Sequence, residues 1–170
     1  MKNKIIALCL ILCSLFILVG CESKEEDNKE EKTKKVTTKD EKEKEKYLKY
    51  VKQLKNVKES SEDLPFTVEV LYEKIESEVR YQVIIDNPTK EIKDVVALAT
   101  HNKQTDDVFP SVGIVDDKVD LIPDKKPSGV ILVGYIPYTG KVEDLDVEMK
   151  VLITYKIDDQ TYISYYVTKK

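Results

Sequence analysis

From residue 66 onward apolar side chains recur at every second position. Phe66, Val68, Val70 and Tyr72 alternate with Thr67, Glu69 and Glu73, and Val79, Tyr81, Val83 and Ile85 repeat the pattern up to Asp86-Asn87-Pro88. A third run covers 92–100, and a fourth covers 130–138 and closes at Thr139-Gly140. The clearest is Val147, Met149, Val151, Ile153, Tyr155 and Ile157, which turns at Asp158-Asp159-Gln160 into a last run over 161–168. A period of two marks strands with one buried face, and Asn-Pro or Asp-rich clusters between them mark turns. The spacing predicts at least six strands with no helix between them, hence an antiparallel sandwich or partly open barrel. A short further strand fits near 111–115.

Upstream the period changes. Tyr47, Leu48, Val51, Leu54 and Val57 are three or four residues apart, the stripe of an amphipathic helix over 41–61. Thr38 or Asp40 suits its start, and Ser60, Ser61 and Pro65 its end. The stripe spans barely two heptads, too few for a coiled coil, so the helix is expected to pack on its own domain. Residues 22–46 hold a single apolar side chain, Val36. Such a stretch buries too little to offset chain entropy, which predicts a disordered charged tether over 21–40.

The first twenty residues are different again. Lys2 and Lys4 precede an apolar run from Ile5 to Val19, broken only by Ser14. As a helix, residues 5–20 reach about 24 Å, short of the ~30 Å core of a bilayer. A basic start and a short apolar run are the parts of a secretory signal. The run ends at Leu18-Val19-Gly20-Cys21. That tetrapeptide resembles the lipobox of bacterial lipoproteins. The resemblance implies a signal peptide over 1–20, lipid on the Cys21 sulfur, cleavage between Gly20 and Cys21, and acylation of the new amino group. Two or three acyl chains anchor stably where one is marginal. The domain would then sit on the extracytoplasmic side of the cell membrane.

The domain, 64–170, resembles the immunoglobulin-like modules of secreted bacterial lipoproteins in one short motif. A strand ends at Asp86-Asn87-Pro88, and the next begins Ile92-Lys93-Asp94-Val95. The expected fold class is therefore mainly β: an antiparallel immunoglobulin-like β-sandwich behind a signal peptide, a charged tether and one short helix. The cysteines, Cys9, Cys13 and Cys21, all lie outside it, so neither a disulfide framework nor a thiolate zinc site is available there.

Charge and motifs narrow the function. The chain carries a net charge of −4, and losing Lys2 and Lys4 leaves −6. Lysines alternate with acids, which argues against nucleic-acid binding. The only histidine is His101, expected as a surface residue at a strand end, and no phosphate loop, HExxH or GxSxG motif is present. No catalytic residue, metal ligand or cofactor is expected. The long 102–128 segment holds Asp106, Asp107, Asp116, Asp117, Asp120 and Asp124, without calcium-loop spacing. Phe109 in it, with Tyr135 and Tyr138 on or near the neighbouring strand, forms a candidate binding surface, unless Phe109 and Tyr135 fill the core. The expected function is a non-catalytic, membrane-anchored lipoprotein whose sandwich binds a protein or cell-wall partner. The alternative is small-ligand or metal binding by the 102–128 loop. The sequence does not set the oligomeric state.

Overall fold

The computed structural model describes residues 25–126 and 128–170, with side chains from residue 39 onward. Gly20, Cys21 and the signal segment lie outside these residues. The chain divides between Lys39 and Asp40 into two units. In the first, the described residues are helical.

Helix α1 spans Glu25–Lys55, starting well before the apolar stripe and inside the stretch expected to be a disordered tether. Lys and Glu, which dominate this stretch, are strong helix formers. The helix also stops six residues earlier than the expected 61. The Asn56 and Val57 N–H groups donate to the carbonyls of Gln53 (3.2 Å) and Leu54 (3.1 Å), tightening the last turn. Ser60 and Ser61 then serve another element, described below.

In the second unit, Asp40–Lys170, the strands are β1 Thr67–Ile75, β2 Glu78–Asp86, β3 Ile92–His101, β4 Ser111–Val112, β5 Val119–Leu121, β6 Gly129–Pro137, β7 Glu148–Ile157 and β8 Gln160–Lys169. All pair antiparallel, in two sheets. One runs β1-β2-β6. The other runs β4-β3-β7-β8, with β5 also on β3. In immunoglobulin domains strands A, B and E share one sheet and C, F and G the other; β1, β2, β6 and β3, β7, β8 fall in that arrangement. The fold is thus an antiparallel β-sandwich, mainly β with one helix. The β7–β8 hairpin turns on Asp158 and Asp159, both at positive φ (49° and 61°), as the primed two-residue turns require.

Between the sheets lies the main core. β2 gives Val79, Tyr81, Val83 and Ile85; β6 gives Val130, Leu132 and Ile136; β3 gives Val95, Ala97 and Ala99; β7 gives Met149, Val151, Ile153 and Tyr155. Phe66 meets Tyr155 edge to face at 5.3 Å.

The two sheets differ on their outer faces. β3 is buried at every position from Val95 to Thr100, which a one-sided strand is not. Its second face, Val96 and Leu98, joins Leu152 of β7 and Leu54 of α1 in a smaller core, flanked by Tyr47, Tyr50, Val51, Phe109 and Tyr165. The part of α1 from Asp40 to Lys55 is therefore a third layer over the β3-β7-β8 sheet. Polar contacts fix it. The Phe109 N–H donates to the Tyr47 hydroxyl (2.8 Å), Lys46 donates to the Gly113 carbonyl (3.2 Å), and Gln53 bonds the Tyr165 hydroxyl. Gly113 has φ +71°, and a Cβ there would press on the Val95 carbonyl, so that contact needs glycine.

Past the helix the chain covers the β8 edge. Ser61 donates its N–H to the Tyr165 carbonyl (2.8 Å) and accepts the Tyr165 N–H on its hydroxyl (2.9 Å); the Ser60 hydroxyl does likewise with the Val167 carbonyl and N–H.

Leu54 is fully buried between α1 and the sheet, whereas Leu48 on the same helix is 53 % exposed. Leu54→Ala is expected to cost about 2–5 kcal/mol, as for other buried leucines. Leu48→Ala should stay within about 0.5 kcal/mol, as for exposed positions. Denaturant unfolding of the two variants measures both.

Candidate binding surface

Of the sequence candidates, the fold brings Phe109 and Tyr135 together and leaves Tyr138 elsewhere. Tyr138 follows β6, donates its N–H to the Ser77 carbonyl (3.0 Å), lies beneath the Lys74 ammonium and packs partly on the main core. Phe109 and Tyr135 line one cleft of about 320 Å³ between the edge of β6 and the 102–110 segment, with Tyr81, His101 and Asp107. Phe109 is half-buried and Tyr135 is 41 % exposed. Neither is a pure core residue.

His101 is half-buried in the wall of this cleft, not on the surface as expected. Its ring stands edge-on between Tyr81 (5.5 Å) and Phe109 (5.1 Å), and its Nδ1 accepts the Lys103 N–H at 3.3 Å. Burial pulls the imidazole below its ordinary range, opposed by hydrogen bonds to the backbone of Lys103 and Tyr135 and by the Asp107 charge. Tyr81 passes directly under Gly134, where any Cβ would collide with its ring. Its phenol is pushed up, chiefly by burial. These groups wedge rings together. Among the described residues no hydrogen bond joins His101 to a nucleophile or a carboxylate, as acid–base catalysis would use.

The aspartates of the 102–128 segment do not converge. Asp116 accepts the Gly113 N–H (2.7 Å), and Asp120 accepts the Asp94 N–H (2.9 Å) where β3 bulges at φ 55°. Asp94 in turn pairs with Lys156 (2.6 Å) and Lys118 (3.7 Å), and the Lys156 hydrogen bond holds its carboxyl below the usual range. Among the described residues no three His, Cys, Asp or Glu side chains are gathered to hold a metal ion.

The outer face of the β1-β2-β6 sheet was not picked out in the sequence. α1 covers the other sheet, and this face carries Leu71, Ile131, Val133 and Tyr135, exposed at 44, 59, 42 and 41 %. Partly buried Ile84 lies between Glu69 and Ile131 in register. A signal existed. In Val130-Ile131-Leu132-Val133 both parities are apolar, the pattern of a strand covered on both faces. β3 and β7 share that pattern and are so covered, whereas β6 is covered on one face. A wide concavity of about 760 Å³ continues the face past Ile84 and Ile131 to Lys125 and Lys126. Compared with protein-family models, curated proteins and solved structures, the chain has no match in any of the three.

Acidification tests the wedge. A histidine whose folded pKa is depressed contributes stability above its ordinary value near 6.5 and loses it as pH falls from there toward the lower folded value. The melting temperature of the wild type should therefore decline below pH 6.5, and His101→Gln, though less stable, should flatten that decline. A further limb at lower pH comes from Asp94 and Glu148, both held low by lysines, and should survive in the variant. Melting curves from pH 7.5 to 3 read both limbs.

Proposed function

We propose that the chain is a non-catalytic, membrane-anchored lipoprotein whose sandwich binds a macromolecular partner outside the membrane. The observation that carries the binding role is the outer face of β1-β2-β6. An exposed apolar patch of this kind, bordered by charged residues, marks interaction sites on folded proteins. The lipobox-like Leu18-Val19-Gly20-Cys21 supports the anchor. Among the described residues no helix is long and apolar enough to cross a membrane.

Three measurements test the reading. Cys21→Ala is expected to move the chain from the membrane fraction into the medium or the fraction outside the membrane; retention of the variant on the membrane overturns the anchor. A photo-reactive side chain at Val133 in intact cells should give a discrete adduct, and one at Asp159, on the β7–β8 hairpin tip, should not. Equal or absent adducts at both positions overturn the binding face. Purified chain showing turnover that one side-chain change abolishes would overturn the non-catalytic role.

A further inference from the structure

The cleft at the β6 edge holds a hydroxyl without a partner. Tyr81 is only 1 % exposed, and its ring runs beneath Gly134 with the hydroxyl end nearest to that glycine. Tyr81 and Gly134 both line the cleft, so the hydroxyl opens into it. Among the described residues nothing hydrogen-bonds this oxygen. Burial pushes the phenol up, so it keeps its proton and still offers a lone pair to a donor. A buried polar group of this kind is normally matched by protein, water or ligand.

The rest of the lining has a consistent chemistry. Phe109, His101 and Tyr135 supply rings, and burial keeps the imidazole uncharged at neutral pH. Tyr135 is 41 % exposed, and among the described residues no other ring or ammonium group lies over it. Asp107 is the one ionised side chain in the lining. Its N–H donates to the Thr105 hydroxyl (3.0 Å), which closes the local turn, while its carboxylate has no ion pair or hydrogen bond among the described residues. Its charge acts on both Tyr81 and His101. Lys55 and Lys150 line a different cavity that shares the His101 and Phe109 rings, and Lys150 is paired there with Glu148 (3.0 Å).

We propose that this cleft binds an organic cation that carries N–H groups, an alkylammonium or a guanidinium. The Asp107 carboxylate offsets the charge, the Tyr135 ring attracts it through its quadrupole, and the Tyr81 oxygen accepts an N–H. An anion would meet a carboxylate and aromatic faces, both repulsive to it. A quaternary ammonium would leave the Tyr81 hydroxyl unmatched. A calcium ion takes six or more oxygen ligands, and the lining offers one carboxylate. A volume of about 320 Å³ is at the small end of ligand sites, which suits a cationic head group. The site does not depend on the open face being a binding surface, although Val133 and Tyr135 belong to both.

Titration of the full chain in nonionic detergent with n-butylammonium, read by NMR at the backbone amides of 105–109 and 133–135, tests the site. Saturable shifts confined to these amides are expected at roughly millimolar concentration, as for a ligand of so few atoms. Asp107→Asn should weaken the affinity about threefold, the worth of one exposed charge pair. Tyr81→Phe keeps the ring and removes the hydroxyl. It should weaken butylammonium about fivefold and leave the weaker binding of tetramethylammonium unchanged. Absence of saturable shifts overturns the proposal. So does an affinity indifferent to both substitutions, or tetramethylammonium or maltose binding as tightly as butylammonium. The peptide acetyl-Val-Lys-Val-amide then separates two sources of the cation. Affinity about tenfold above butylammonium, with shifts spreading to Ile131, identifies a basic side chain of a protein, and equal affinity identifies a free amine. Either of these results upholds the site.

Discussion

The packing of α1 on one sheet sets the character of the rest. Leu54, Val51, Tyr47 and Tyr50 cover Val96, Leu98 and Leu152, so β3 and β7 are buried on both sides. With that layer present the sandwich has one inner core, one covered outer face and one open outer face. A roughly 100-residue sandwich without disulfides depends on such added apolar burial, because small domains bury a modest share of their surface. The helix also organises the long segment between β3 and β6: Tyr47 holds the Phe109 backbone and Lys46 the Gly113 carbonyl.

The open face follows from the same asymmetry. A sandwich buries its two inner faces by construction, and each outer face is then solvated, covered by another element, or met by another molecule. β8 and β3 meet the second condition through α1. β6, apolar at both parities, meets the first: Ile131, Val133 and Tyr135 are exposed. The cleft at its edge is a separate matter. There Tyr81, His101 and Phe109 form a line of edge-to-face rings linking the main core to the segment beyond β3.

Strand positions were legible because a period of two follows directly from the pleat. Val147 to Ile157 alternates except at Leu152, and β7 occupies nearly that span. The Asp158-Asp159 turn was legible for a similar reason, since aspartate tolerates positive φ. β5 was not, because three residues in register with a bulged partner carry no period of their own. The extent of α1 was misjudged at both ends. Its charged half forms helix through propensity, which an apolar stripe does not report, and its C-terminal end is set by the demand of a distant strand edge for Ser60 and Ser61. The site was legible in part. Phe109 and Tyr135 meet because β3 and β6 bring the ends of a long connection together, and no local pattern encodes that meeting. The aspartates looked like a cluster in sequence and are dispersed by the turns they close.

The hydroxyls of Ser60 and Ser61 along β8 link two hazards that are usually separate. They stand in for a neighbouring strand, and the residues that present them are the immediate continuation of α1. If the helix lifts from its sheet, an apolar surface and a free row of peptide groups are bared in one event. A chain in that state has both ingredients of fibrous polymerisation, a sticky plane and a growing edge. Quality control would thus have one structural checkpoint to watch: whether the last turn of this helix has docked.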